Sequence, residues 1–211
     1  MTALSWVAFD VGETLVDETR MWGERADRLG IPRLGFFAAL GAVIEARRPH
    51  REVYALLGHA PPAPDDWWAD LRDSDLYPDA APTLAELRRR GYRVAIVGNQ
   101  PRGAAAALRR LGVAADLVAT SEHWGVAKPA PGFFARLTAE TGAAAREIAY
   151  VGDRVDNDIL PAKAMGLAAV FVRRGPWGIV QAAWPEAAAA DLRLENLGEL
   201  PDRLATLGGA R

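Results

Sequence analysis

From Tyr92 to Val172, short apolar runs alternate with segments of helical period, and this alternation restricts the fold more than any other feature of the chain. Tyr92–Val97, Asp116–Ala119, Ile148–Val151 and Leu167–Val172 read as strands and join an earlier one, Trp6–Phe9. Between them Gly103–Leu111, Pro131–Thr141 and Asp158–Met165 read as helices, stopped by Gly112, Gly142 and Gly166 in turn. The strands are continuously apolar rather than alternating, as expected of a sheet covered on both faces. Strand–helix–strand order makes that sheet parallel, because parallel neighbours need a crossover long enough to hold a helix. The expected fold class is α/β, a doubly wound parallel sheet.

Residues 17–78 interrupt the pattern with helix after helix: Met21–Leu29, Arg33–Arg48, Arg51–Leu57 and Trp67–Leu71, with a proline cluster from Pro61 to Pro64. A helix over Pro82–Arg90 leads back to the sheet. The expected organisation is a core of residues 1–16 and 79–211 with an all-helical cap, residues 17–78, inserted after the first strand. Open α/β sheets bind ligands at the carboxyl ends of their strands, so a cap leaving there lies over the site as a lid. The segment from Pro176 to Arg211 carries no assignable motif.

Composition excludes several classes. The chain has 211 residues, enough for one domain with an insertion, and half of them are apolar. A net charge of −2 gives no global field favouring nucleic acid or a membrane surface, so neither is an expected partner. There is no Cys, which rules out disulfides, thiolate metal sites and a Cys nucleophile. Neither a signal peptide nor a membrane-length apolar run is legible, and a cytoplasmic location is expected. Of 25 basic residues only Lys128 and Lys163 are lysines, so a lysine inside a motif draws notice.

Four fragments fall at strand ends. Asp10 follows the first strand, Gly98-Asn99 the second, Lys128-Pro129 lies in a loop after the third, and Gly152-Asp153 with Asp158 follows the fourth. Together they offer a carboxylate nucleophile, a cation and two further carboxylates. That set suits phosphoryl transfer, in which catalysis is largely positioning and charge neutralisation. Mg²⁺ is the expected cofactor, since a hard cation takes oxygen ligands and keeps several waters.

The fragments FDVGETLVD, VAIVGN, KPAPGFF and YVGDRVDNDILPAKAMGL, in that order, make the chain resemble the haloacid dehalogenase (HAD) superfamily, in particular its members with a helical cap after the first motif. The resemblance implies a Rossmann-like core and a Mg²⁺-dependent phosphatase acting on a small phosphorylated metabolite. It also implies roles. Asp10 attacks phosphorus and carries an aspartyl-phosphate, and Lys128 holds Asp10 and the phosphoryl oxygens. Asp10, Asp153 and the main-chain carbonyl of Gly12 ligate the metal, with Asp158 supporting that shell. A backbone N–H of Gly98 or Asn99 is expected to face the phosphoryl group.

Two positions depart from the family pattern. Phosphatases of the family usually carry Asp at the place of Gly12, to protonate the leaving alcohol, and Ser or Thr at the place of Gly98, to bind the phosphoryl group. Losing a general acid costs ~10²–10⁴-fold in rate. Glu13, or a cap residue such as Glu18 or Arg20, is a candidate replacement. Strand alternation nevertheless puts position 12, and not 13, on the face of Asp10. Alternative readings are a catalytically impaired phosphate- and metal-binding module, and a haloacid dehalogenase, which tolerates a non-acidic residue at Gly12 but uses no metal. Other features read as structural: Trp67-Trp68 as cap packing, Arg47-Arg48 with His50-Arg51 as a solvated helix end, and Asp156 or Asn157 as a helix cap. His50, His59 and His123 show no ligand spacing.

Overall fold

The apolar runs form the strands of one sheet in a computed structural model that describes residues 4–61 and 67–207, and only the backbone of Trp67. β1 (Trp6–Phe9) is followed by helices α1 (Thr19–Arg28), α2 (Arg33–Glu45) and α3 (Glu52–Leu56), then by the 3₁₀ turns Trp67–Asp70 and Asp73–Asp75. α4 (Ala80–Arg89) returns the chain to β2 (Arg93–Gly98), and α5 (Arg102–Arg110), β3 (Leu117–Thr120), the short α6 (Ser121–Trp124) and α7 (Pro131–Thr141) follow. β4 (Ile148–Gly152) passes through a π-helical turn, Val155–Ile159, into α8 (Leu160–Ala164) and β5 (Ala168–Val172). α9 (Gly175–Gln181), β6 (Leu192–Leu194) and α10 (Leu200–Leu207) complete the described chain.

The sheet order is β3-β2-β1-β4-β5-β6, and every neighbouring pair is parallel. This is the expected doubly wound, Rossmann-like α/β architecture. Side chains alternate across it. Val7 and Phe9 belong to one buried cluster with Leu84 and Leu87 of α4 and Leu108 of α5. Trp6 and Ala8 belong to the opposite one, with Phe133, Phe134 and Leu137 of α7. Burial on both faces is why the strands read as unbroken apolar runs. β1 lies between β2 and β4, with Phe9 level with Ile96 on one side and Val151 on the other. The residues just past these strand ends, where the chain order reverses, therefore converge on one crevice.

Helices α1 to α3 share a separate apolar cluster, in which Trp22, Phe36, Leu40, Val43 and Tyr54 are joined by Trp177 of α9. The two connecting strands of chain run side by side: Asp17 N–H donates to the Asp75 carbonyl (2.7 Å) and Tyr77 N–H to the Leu15 carbonyl (3.0 Å). Several limits differ from the sequence expectation. α2 ends at Glu45 and not at Arg48, and the turn beyond it puts Arg47 at φ 56. The helix expected from Asp158 is regular only from Leu160, after the wide turn Val155–Ile159, because Pro161 has no N–H to donate and is accommodated only in the first turn of an α-helix. β6 and α10 come from the stretch that carried no motif. Among the described residues, no helix is long and apolar enough to cross a membrane.

Candidate active site at the strand ends

Asp10 stands one residue past β1, its N–H donating to the Val151 carbonyl (2.8 Å), and is 5% exposed. Lys128 reaches it from the loop before α7, with Nζ 2.7 Å from Asp10 Oδ1 and 2.5 Å from Asp158 Oδ1. Burial works against the Lys128 charge, but Asp10 and Asp158 outweigh it and hold the ammonium pKa well above its ordinary value. The Asn99 side chain fixes the lysine's backbone: its Nδ2 donates to the Lys128 carbonyl (2.9 Å) and its Oδ1 accepts from Lys128 N–H (2.8 Å). That amide serves as a clamp on the lysine loop.

Asp153 and Asp158 close the other side. Ligand oxygens of Asp10, Asp153 and Asp158 lie within 4.8 Å of one another. Burial, then Asp158, Asp10 and Glu13, push the Asp153 carboxyl well above the carboxylate range, and burial lifts Asp158 to about 6. Crowding of this kind is relieved by a dication. Asp153 Oδ2 is buried without a hydrogen-bond partner, whereas both oxygens of Asp158 are engaged, Oδ1 by Lys128 and Oδ2 by Arg154 N–H (3.0 Å). The donor set therefore fits a hard cation held by Asp10 and Asp153, with Asp158 bracing Lys128 and the turn. The bracing needs Gly152, since a Cβ there would run into the Asp158 carboxyl. The capping expected of Asp156 or Asn157 does not occur: Arg154 takes the N-cap position without a side-chain bond, and Asp156 pairs with the Arg154 guanidinium (2.8 Å).

The two glycines that depart from the family pattern have a common explanation. An ideal Cβ on Gly12 would touch Glu18 Oε1 and lie 2.9 Å from Glu18 Cδ. The Glu18 carboxyl, just before α1, thus occupies the volume of a side chain at position 12. Its Oε2 accepts from Trp22 Nε1 (2.9 Å), which leaves Oε1 as the oxygen turned to Gly12. Burial first, then Glu13 and Asp10, raise the Glu18 pKa to about 8. A Cβ on Gly98 would likewise touch Asp10 Oδ1 and Gln100 Oε1. Glu18 was one of the candidates legible in the sequence; Gln100 was not.

Glu13 adopts φ 53, which breaks the strand alternation that would have turned it away. Its Oε1 accepts from Glu18 N–H (3.1 Å) and its Oε2 from Tyr77 OH (2.7 Å), and burial raises its pKa to about 7. Arg20 is the candidate that fails. Its guanidinium is taken by Asp75 (2.6 Å), Glu24 (2.9 Å) and Asp70 (3.3 Å), and it does not line the crevice.

The crevice is a cavity of about 220 Å³ whose polar floor includes Asp10, Gly12, Asn99, Gln100 and Asp153. Its walls include Trp22, Trp68, Trp177 and His50. Trp68, expected as cap packing, belongs instead to the buried cluster on the sheet and also borders the cavity, whereas the Trp67 side chain lies outside the described residues. His50 has more than the structural place expected of it. It meets Trp22 and Trp177 edge-on, and burial followed by Arg154 lowers its pKa to about 4, so it is neutral at physiological pH. Arg47 and Arg48 are spent on Glu186 and Glu52. The motif-free C-terminal segment contributes Trp177 and also Gln181, which accepts from Val155 N–H (2.6 Å) and so holds the Asp158 turn. Nothing local in the sequence marks Gln181; it is found only through the packing of α9.

Residues 4–166 match a family model described as haloacid dehalogenase-like hydrolase. The chain is 37% identical over 142 residues to ribulose-1,5-bisphosphate 5-phosphatase of Halopiger xanaduensis, covering 64% of this chain and 59% of that protein. It is 34% identical over 160 residues to phosphoserine phosphatase of Thermus thermophilus, covering 72% and 62%. The match therefore spans roughly three-fifths of the length of these curated relatives. Among solved structures, an HAD phosphatase from Thermococcus onnurineus is similar over 99% of each chain, with a TM-score of 0.61 and 25% identity.

Proposed function

The chain belongs to the haloacid dehalogenase-like hydrolase family, and from that premise we propose that it is a Mg²⁺-dependent phosphohydrolase acting on a small phosphorylated metabolite through Asp10. The observation that carries this reading is the convergence of three buried carboxylates within 4.8 Å with a lysine 2.7 Å from one of them. Two relatives named as phosphatases support it. Residues 17–78 act as the cap, with Trp22, His50 and Trp68 facing the strand ends across the cavity.

In this reading an Asp10 carboxylate oxygen attacks phosphorus as the ester oxygen leaves, and the resulting aspartyl-phosphate is then hydrolysed by water. Lys128 neutralises charge at Asp10 and on the transferring group. Asp10, Asp153 and the Gly12 carbonyl would hold Mg²⁺, which would neutralise charge on the phosphoryl oxygens. The proton for the leaving oxygen comes from Glu18, whose Oε1 stands beside Gly12 while Trp22 anchors its other oxygen. A buried acid next to anionic groups keeps its proton at neutral pH, as a general acid must. The chain thus supplies from residue 18 the function that phosphatases of the family usually supply from the position of Gly12.

A panel of phosphate esters assayed with and without Mg²⁺ tests the reading. Turnover that needs Mg²⁺ and disappears in Asp10→Asn is the expected result. Activity indifferent to Asp10→Asn would refute the nucleophile, and phosphate binding without turnover on any ester would make the site a binding module.

A further inference from the structure

We infer that the side-chain amide of Gln100 holds the phosphoryl group, in place of the hydroxyl that Gly98 lacks. The inference rests on the phosphohydrolase reading above, but its test does not depend on turnover.

Three observations carry it. First, Gln100 occupies the relevant space: a Cβ at Gly98 would touch Gln100 Oε1, with Gln100 Cδ at 3.2 Å, and would touch Asp10 Oδ1. The amide is therefore beside the nucleophile, where a side chain at the end of β2 would otherwise project. Second, Gln100 is 7% exposed, lines the cavity with Asp10 and Asp153, and its Oε1 has no hydrogen-bond partner. A buried amide end without a partner is costly and calls for an explanation, which a bound ligand or a catalytic role supplies. Third, the residue is fixed at its backbone, where Gln100 N–H donates to the Gly98 carbonyl (3.0 Å) and the Gln100 carbonyl accepts from Ser121 Oγ (3.4 Å).

A carboxamide also suits the task chemically. Its two ends have nearly the same shape, so a half-turn presents Nε2 without moving any neighbour. Nε2 carries two N–H donors, enough for one bond to Asp10 and one to a phosphoryl oxygen. Asn99, the amide next in sequence to Gly98, cannot take this place because both ends of its side chain clamp Lys128. The glycine at 98 is then a requirement and not a deficit, because any larger residue would have to displace Gln100 or Asp10.

The experiment compares wild type with Gln100→Met and Gln100→Ala, measuring the affinity of inorganic phosphate by titration calorimetry in Mg²⁺ alongside KM for an aryl phosphate. Met keeps the length and bulk of the side chain but removes both donors. A hydrogen bond to a charged group predicts a ~10- to 100-fold weaker phosphate Kd in both variants, with Met no better than Ala. Recovery of wild-type affinity in Met would mean that Gln100 only fills space, and wild-type affinity in both would likewise overturn the inference while leaving the function standing. Phosphate binding by wild type that weakens as expected but without turnover would uphold Gln100 and overturn the hydrolase. A wild-type protein that neither binds phosphate nor turns over esters would sink both.

Discussion

Glu18→Gln removes one proton and almost nothing else, which makes it the most informative single change. The amide keeps the length and shape of the side chain, and its oxygen can still accept from Trp22 Nε1, now 2.9 Å from Glu18 Oε2. What it loses is the ability to protonate a departing oxygen from beside Gly12. The cost depends on the leaving group. A weakly basic phenolate departs as an anion and needs little help, whereas an alkoxide needs the full ~10²–10⁴-fold contribution of a general acid. The variant should therefore lose ~10²–10⁴-fold in kcat/KM on alkyl phosphates and far less on nitrophenyl phosphate. Across substituted aryl phosphates, the dependence of log kcat/KM on leaving-group pKa should be shallow in wild type and steep in Glu18→Gln. Restoring an acid at position 12 is a harsher test, since the new Cβ would touch Glu18 Oε1. Gly12→Asp alone should be overpacked, by ~1–3 kcal/mol, and should gain no activity. Gly12→Asp with Glu18→Ala should recover much of the alkyl-phosphate rate. An unchanged slope in Glu18→Gln would refute the assignment of the proton to Glu18.

Mg²⁺ should raise the melting temperature as RT ln(1 + [Mg²⁺]/Kd), ~2.7 kcal/mol at a hundredfold excess over Kd, and Asp153→Asn should remove most of that increment; a wild-type melt indifferent to Mg²⁺ would count against the metal site. In metal-free buffer, stability should fall as pH rises. Glu13 and Glu18 go from an ordinary 4.5 to about 7 and about 8 in the fold, so the folded state holds protons that the unfolded chain gives up across that window. Their contribution is fully present below pH 4.5 and is lost as pH passes through about 7 and about 8. Each proton held in this way is worth ~1.4 kcal/mol for every pH unit between its unfolded and folded titrations. Denaturant melts across this range should show the decline, and Glu18→Gln should flatten it; equal decline in the variant would remove Glu18 from the account. Trp177→Ala, which removes the α9 side chain from the helical cluster, should cost ~3–5 kcal/mol and expose Trp22, read by fluorescence; a loss well below ~1 kcal/mol would mean that α9 does not secure the cap.

Much of this protein was legible in its sequence because local rules carry it. Strands buried on both faces must be continuously apolar, and parallel neighbours must be joined by crossover helices, so the alternation already implied the sheet and put Asp10, Gly98 and Asp153 at strand ends, while the strand order that makes those ends adjacent came from the structure. The motif around Lys128 was likewise readable, because one of only two lysines in an arginine-rich chain draws notice when it stands in a motif. The two glycines were not readable in the same way. Sequence shows that a side chain is missing at positions 12 and 98, but which neighbour fills the volume depends on side-chain packing in three dimensions. At position 12 the answer is six residues away, brought back by the turn that starts α1. At position 98 it is two residues away, across a bend that no periodicity predicts. Glu13 was judged by strand alternation, a rule that fails once the backbone reaches φ 53. β6, α10, Trp177 and Gln181 had no local signal at all, because their roles exist only in contacts with segments distant along the chain. Backbone pattern follows from nearby residues and is written into the sequence; the occupant of a shared cavity is settled by which side chain packs there in space, and only the tertiary structure decides that.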